Sequence, residues 1–196
     1  MSAADSLAAI VLAAGGARRY GSPKALAPLR GQPMLQHVLD VLDGQCDVTL
    51  VLGADAASIG AALRLPKRVV VNDRWAEGLA SSIKAGLDAI GDVPAVLMAL
   101  GDQPAIERAD YENLIAAWRR APQRIAAAQY GDVLGAPCIF PNAFFDALRQ
   151  LEGDRGASAL LRQLHAQVDA IPMASALLDV DTPQDLMRLD DAIRRN

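Results

Sequence analysis

Ala8-Ala9-Ile10-Val11-Leu12-Ala13-Ala14-Gly15-Gly16-Ala17-Arg18-Arg19-Tyr20-Gly21-Ser22-Pro23-Lys24 is the stretch that decides the fold. Seven apolar residues, too few to cross a membrane, run without polar interruption into a pair of glycines, which reads as a strand buried on both faces that ends abruptly in a loop. Small residues at that end leave amide hydrogens uncovered, and glycine permits close approach of a ligand to the backbone. Arg19 offers a planar fork and Lys24 a mobile point charge, both suited to phosphate oxygens. The spacing is neither that of the Walker loop nor GxGxxG. By itself the loop says only that an anion can sit at a strand end.

Further apolar runs of strand length occur at 48–53, 68–71 and 95–100, separated by helical patterns at 33–42, 55–63, 79–90 and 109–120. The alternation predicts a parallel sheet covered by helices on both sides, an α/β three-layer sandwich. Strands are expected at 125–129, 134–140 and 168–171, and helices at 141–151 and 156–165. A last helix is expected to start at Thr182-Pro183, a capping residue followed by proline at the first helical position. Gly131-Asp132 is a turn signal. It is expected to divide the single domain, residues 1–196, into two halves, one to about residue 130 that carries the first loop and one from about 131.

Composition narrows the function classes. The chain has 196 residues, 52% of them hydrophobic and 21% charged, with a formal net charge of -4. That balance fits a globular protein and argues against a nucleic-acid binder working through a broad basic surface. Cys46 and Cys138 are far apart and lack CxxC spacing, so they read as small buried residues of a reducing compartment, with no thiolate metal site. The N-terminus lacks a basic region before its short apolar run. The expectation is a cytoplasmic protein with no membrane partner.

A second signal answers the first loop. Leu100-Gly101-Asp102-Gln103-Pro104 places a carboxylate just past a strand, at the edge where open α/β sheets bind ligands. Asp102 there reads as a turn or capping residue, or as a carboxylate suited to a metal ion. His37 and His165 fall inside helical stretches and read as structural.

Leu12-Ala13-Ala14-Gly15, Arg19, Gly21 and Lys24 together resemble the signature of small nucleotidyltransferases that share the glycosyltransferase type A fold. Asn72-x-x-Trp75-x-x-Gly78-x-x-x-Ser82, Gly101-Asp102-Gln103-Pro104, Gly135-x-Pro137, Gly153-Asp154-x-Gly156 and Asp179-Val180-Asp181-Thr182-Pro183 are similar to the molybdenum cofactor cytidylyltransferase branch. The resemblance spans essentially the whole chain. It implies transfer of CMP from CTP to the terminal phosphate of the molybdenum cofactor, with release of pyrophosphate and Mg²⁺ as cofactor. The product would pass to an apo molybdenum hydroxylase of the xanthine dehydrogenase type.

The resemblance also implies residue roles. Arg19, Lys24 and Asp102 are the expected catalytic set. Leu12, Ala13, Ala14, Gly15, Gly16, Asn72, Ser82 and Gly101 join Arg19 and Lys24 around the nucleotide. Asp102 and Asp179 are the expected metal ligands, with Asp181 as the alternative to Asp179. Gly135, Pro137 and Arg155 are expected on the acceptor side. Guanylyltransferases of the same pathway resemble Leu-Ala-Gly-Gly at the first turn, so Ala14 points to cytosine. Tyr20 and Ala80 depart from the pattern at the nucleotide entrance. A guanylyl- or other nucleotidyltransferase acting on another phosphorylated metabolite, and a non-catalytic cofactor carrier, are the alternative readings.

Overall fold

A computed structural model describes residues 7–16 and 20–194. Its centre is a seven-stranded sheet built from β1 (Leu7–Ala13), β4 (Asp47–Leu52), β5 (Arg68–Val71), β6 (Ala95–Leu100), β7 (Ile125–Tyr130), β8 (Val133–Pro141) and β9 (Val168–Pro172). The order across the sheet is β5-β4-β1-β6-β8-β7-β9. Only β8 runs against its neighbours β6 and β7; the remaining pairs are parallel. A separate two-stranded hairpin, β2 (Pro28–Leu29) with β3 (Gln32–Pro33), follows the first loop.

Alternation along the strands sorts side chains into two cores. Leu7, Ala9 and Val11 of β1 and Leu50 and Leu52 of β4 face α1 (Met34–Leu42) and α4 (Arg108–Arg120). Ala8, Ile10 and Leu12, with Val51, face α3 (Leu79–Ile90), α5 (Phe145–Arg149) and α6 (Ala157–Gln163). Both faces of the sheet are thus covered, which explains why its strands read as unbroken apolar runs. The short α2 (Ala56–Ala62) contributes Ile59 to the first core.

α7 (Pro183–Arg194) docks through a third cluster, in which Val180, Leu186 and Leu189 meet Ala27, Leu29 and Met34. Its start is fixed by a reciprocal cap. Asp185 Oδ2 accepts from the Thr182 amide (2.9 Å), and Thr182 Oγ1 accepts from the Asp185 amide (3.3 Å), which satisfies two amides of the first turn. The docking of α7 brings the segment before it, carrying Asp179 and Asp181, back to the end of β6.

The sequence expectations hold for every strand of the sheet to within a residue at each end. Two helices differ. Residues 142–144 form a 3-10 turn and only Phe145–Arg149 are α-helical, because Pro141 is still part of β8. Likewise α6 stops at Gln163 and His165–Gln167 form a separate 3-10 turn. Gly131 and Asp132 make the two-residue turn between β7 and β8, with Tyr130 opposite Val133. Gly131 carries a φ of +59° there, a conformation that favours glycine. Among the described residues no helix is long and apolar enough to cross a membrane.

Candidate active site

Strand β1 continues through α1 to β4 on one side, whereas β6 lies on its other side. The carboxyl ends of β1 and β6 therefore flank a point where the strand order reverses, the place where open α/β sheets open a crevice. A cavity of about 670 Å³ lies there, lined by Leu12 to Gly16, Lys24, Ser82, Gly101, Asp102 and Asp181 among others.

The floor is held by backbone bonds from both neighbouring strands. The Gly101 amide donates to the Leu12 carbonyl (3.0 Å) and the Ala54 amide to the Ala14 carbonyl (3.0 Å). Gly53 has no room for a side chain: a Cβ there would stand 2.6 Å from the Ala14 carbonyl oxygen and 2.6 Å from Trp75 Cβ. Trp75 thus packs beneath the first loop and lines the cavity as well. Gly15 is the opposite case. Among the described residues a Cβ on it would meet nothing within 4 Å, and it lines the cavity.

One ammonium and two carboxylates face each other at the mouth. Lys24 Nζ donates to Asp102 Oδ2 at 2.7 Å and to Asp181 Oδ1 at 3.1 Å. Burial of Lys24 alone would lower its pKa, but the charges and hydrogen bonds of Asp102 and Asp181 outweigh it and the net shift is upward. Lys24 is therefore a permanent cation. Among the described residues Asp102 Oδ1 is buried without a hydrogen-bond partner. Such an oxygen is costly unless something binds it. Tyr20 also lines the cavity, and burial raises its hydroxyl pKa against the opposing charge of Lys24.

Asp179 is placed differently from Asp181. It does not line the cavity; its Oδ1 accepts from Gln103 Nε2 at 2.9 Å. Burial of that inward-facing group raises its pKa, the Gln103 hydrogen bond opposes the rise, and the charges of Asp102 and Asp181 add to it. Of the two, Asp181 stands with Asp102 at Lys24, and Asp179, the expected metal ligand, stands behind the cavity on Gln103.

Asn72 likewise stands behind the cavity. Its Nδ2 donates to Ser81 Oγ (2.8 Å) and Ser82 Oγ (3.1 Å), and its Oδ1 accepts from the Arg74 amide (3.0 Å). It fixes the first turn of α3, where Ser82 reaches the cavity wall. Gly78 precedes that turn at a φ of +107°, pressed against the Gly153 backbone, and the Ala80 amide donates to the Gly153 carbonyl (3.1 Å). The 153–156 loop is thereby held over the α3 N-terminus, and Asp154 joins the cavity lining.

The expected acceptor residues are not gathered in this cavity. Arg155 opens onto a second, more open depression of about 650 Å³ that shares Leu79 and Asp154 with the first. Gly135 and Pro137 lie buried in β8, Gly135 under the Tyr130 hydroxyl. Arg19 lies outside the described residues. Residues that sequence reasoning left out of the site are Asp154, Trp75 and Gln103; all three stood within quoted motifs, but only their neighbours in space give them a role.

Residues 9–168 match the family model described as the MobA-like NTP transferase domain. The chain is 36% identical to nicotine blue oxidoreductase of Paenarthrobacter nicotinovorans, over 92% of this chain and 94% of the relative. It is 31% identical to molybdenum cofactor guanylyltransferase of Rhodobacter capsulatus, over 97% and 98%. Among solved structures it is similar to Rv0371c from Mycobacterium tuberculosis H37Rv (TM-score 0.82, 32% identity, 95% of this chain and 98% of that one). A crystal structure of Rv0371c in complex with manganese superposes with a TM-score of 0.79 at 29% identity, over 95% and 99%. The architecture is that of the nucleotidyltransferases of the GT-A-like fold.

Proposed function

The chain belongs to the MobA-like NTP transferase family, and on that premise we propose that it is a nucleotidyltransferase that transfers CMP from CTP to the terminal phosphate of the molybdenum cofactor. The observation that carries this reading is the Lys24 ammonium held between Asp102 and Asp181 at the mouth of the cavity. Two carboxylates that already share one cation, one of them with an orphaned buried oxygen, fit a divalent metal. Among the described residues no group of three or more His, Cys, Asp or Glu is arranged to hold a metal ion. That is compatible with Mg²⁺, which uses one or two carboxylates and takes its remaining ligands from water and substrate phosphates. Asp102 and Asp181 are the residues that would hold it. When bound, it would neutralise triphosphate charge.

The chain's own groups account for the rest. Backbone amides from Ala13 to Gly16 line the phosphates, and the open space at Gly15 admits them. A terminal phosphate oxygen of the acceptor forms the new bond to the α-phosphorus; the bond from that phosphorus to the β-bridging oxygen breaks, and its electron pair leaves with pyrophosphate. Lys24, charged throughout, stabilises that leaving group. The nucleophile is already anionic, so no general base is needed. Ala14 favours the smaller pyrimidine, and the 153–156 loop with Arg155 supplies the acceptor side.

A second reading has one comparison in its favour, the relative named nicotine blue oxidoreductase. No cysteine lines the cavity, and burial pushes the Cys46 thiol up to about 12. On this reading the same cavity would therefore bind a redox nucleotide. Pyrophosphate release from CTP, GTP, UTP and ATP with Mg²⁺, each with and without molybdenum cofactor, is compared with binding of reduced and oxidised nicotinamide dinucleotides. Cofactor-dependent release from CTP supports transfer. Tight nicotinamide binding with no release from any triphosphate supports the second reading.

A further inference from the structure

Gln103 directly follows the strand-end carboxylate, yet its side chain is turned away from solvent at 1% exposure. Its Nε2 reaches across the fold to Asp179 Oδ1 (2.9 Å), the Ala176 carbonyl (3.0 Å) and the Ala136 carbonyl (3.4 Å). All three neighbours are acceptors, so only the nitrogen can face them. Gln103 Oε1 is left buried without a donor. An apolar side chain of equal length would avoid that unpaired oxygen. What the glutamine supplies in return is its amide donor.

The donor acts on a segment that the site depends on. Gln103 holds Ala176 and Asp179, the Val180 amide donates to the Asp102 carbonyl (3.0 Å), and Asp181 follows with its Oδ1 at 3.1 Å from Lys24. Asp102, Asp179 and Asp181 are like charges at one end of the sheet, and their repulsion opposes the packing of the segment against the end of β6. Gln103 and Lys24 oppose that repulsion from two sides, one with a neutral donor and one with a charge.

We propose that Gln103 is a positioning residue for the cation and triphosphate site, clamping the 176–181 segment so that Asp181 stands opposite Asp102. This rests on the reading of the cavity as a metal–nucleotide site. It assigns Gln103 no contact with the nucleotide.

Gln103→Met keeps the length and removes the donor without adding charge. Mn²⁺ binding in the presence of CTP, read from the free-ion electron paramagnetic resonance signal, is expected to weaken by about tenfold or more, as loss of groups that orient metal ligands does. The Mg²⁺ concentration for half-maximal pyrophosphate release should rise by a similar factor, with turnover at saturating Mg²⁺ little changed. Gln103→Asn, whose amide is one methylene short, should fall between; if the methionine variant does not fold, the asparagine variant decides by the same criterion. A lowered melting temperature or turnover with unchanged Mn²⁺ affinity means that Gln103 only fills space, and overturns the proposal. Wild-type protein that binds Mn²⁺ with CTP but releases no pyrophosphate overturns the transfer reading and leaves the positioning role standing. Failure of wild type to bind Mn²⁺ with CTP overturns both.

Discussion

Lys24 Nζ lies 2.7 Å from Asp102 Oδ2, while Oδ1 of the same carboxylate is buried without a partner. The first loop and the end of β6 are thereby joined across 78 residues of sequence, with half of the carboxylate committed and half available. Lys24→Ala leaves Asp102 and Asp181 facing each other without their shared cation, and on the proposed reaction removes positive charge from the departing pyrophosphate. We expect kcat/KM for CTP to fall by about 10²–10³-fold. Lys24→Arg should rescue little, because a planar fork does not replace a point charge between two carboxylates. Steady-state kinetics of the two variants checks this.

Gly15→Leu should separate binding from folding. Its Cβ meets no atom of the described residues within 4 Å, and Gly15 lines the cavity. Thermal stability should change by no more than about 0.5 kcal/mol, while nucleotide binding measured by calorimetry is lost. A variant that melts early, or binds CTP normally, contradicts the assignment of that space to ligand.

Ala14→Gly tests base choice. The Ala14 side chain is 4% exposed and also lines the cavity. Its removal should cost about 1 kcal/mol of stability and lower the preference for CTP over GTP by about tenfold, as one methyl in a pocket can do. Competition between the two nucleotides in one assay reads the ratio directly.

The cap of α7 gives a pH prediction. The Thr182 hydroxyl, foremost, and the Thr182 and Asp181 amides hold the Asp185 carboxyl below its ordinary range. Its folded pKa is depressed, so its contribution is present above the unfolded pKa and lost as pH falls through the folded one. Urea midpoints of wild type and Asp185→Ala should therefore differ near neutrality and converge below the ordinary carboxylate range. A difference that persists unchanged into strong acid contradicts the cap.

Much of this was legible in the chain. Runs such as Ala95–Leu100, bounded by turns and apolar on both faces, were exact, because a strand buried on two sides leaves no other pattern. The β2–β3 hairpin was missed: its turn holds Arg30 at a φ of +49°, an unusual residue for that conformation, and prolines at both ends read as breakers. In the site, Lys24 stood out by residue type in the loop after β1, and Asp102 by its place just past β6. The sequence pattern prefers Asp179 to Asp181, but which of them stands at Lys24 depends on where a buried glutamine sends its amide. Gln103 stood in a quoted motif, but its partners lie 73 and 76 residues away, and nothing local in sequence announces them.

On the proposed reading, Asp102 and Asp181, with Lys24, build a metal–triphosphate site used for nucleotidyl transfer. Turnover of Asp102→Ala with saturating CTP, Mg²⁺ and molybdenum cofactor tests it most directly. The predicted result is a folded protein whose rate of pyrophosphate release falls by about a hundredfold or more. A rate within a few-fold of wild type would contradict the claim.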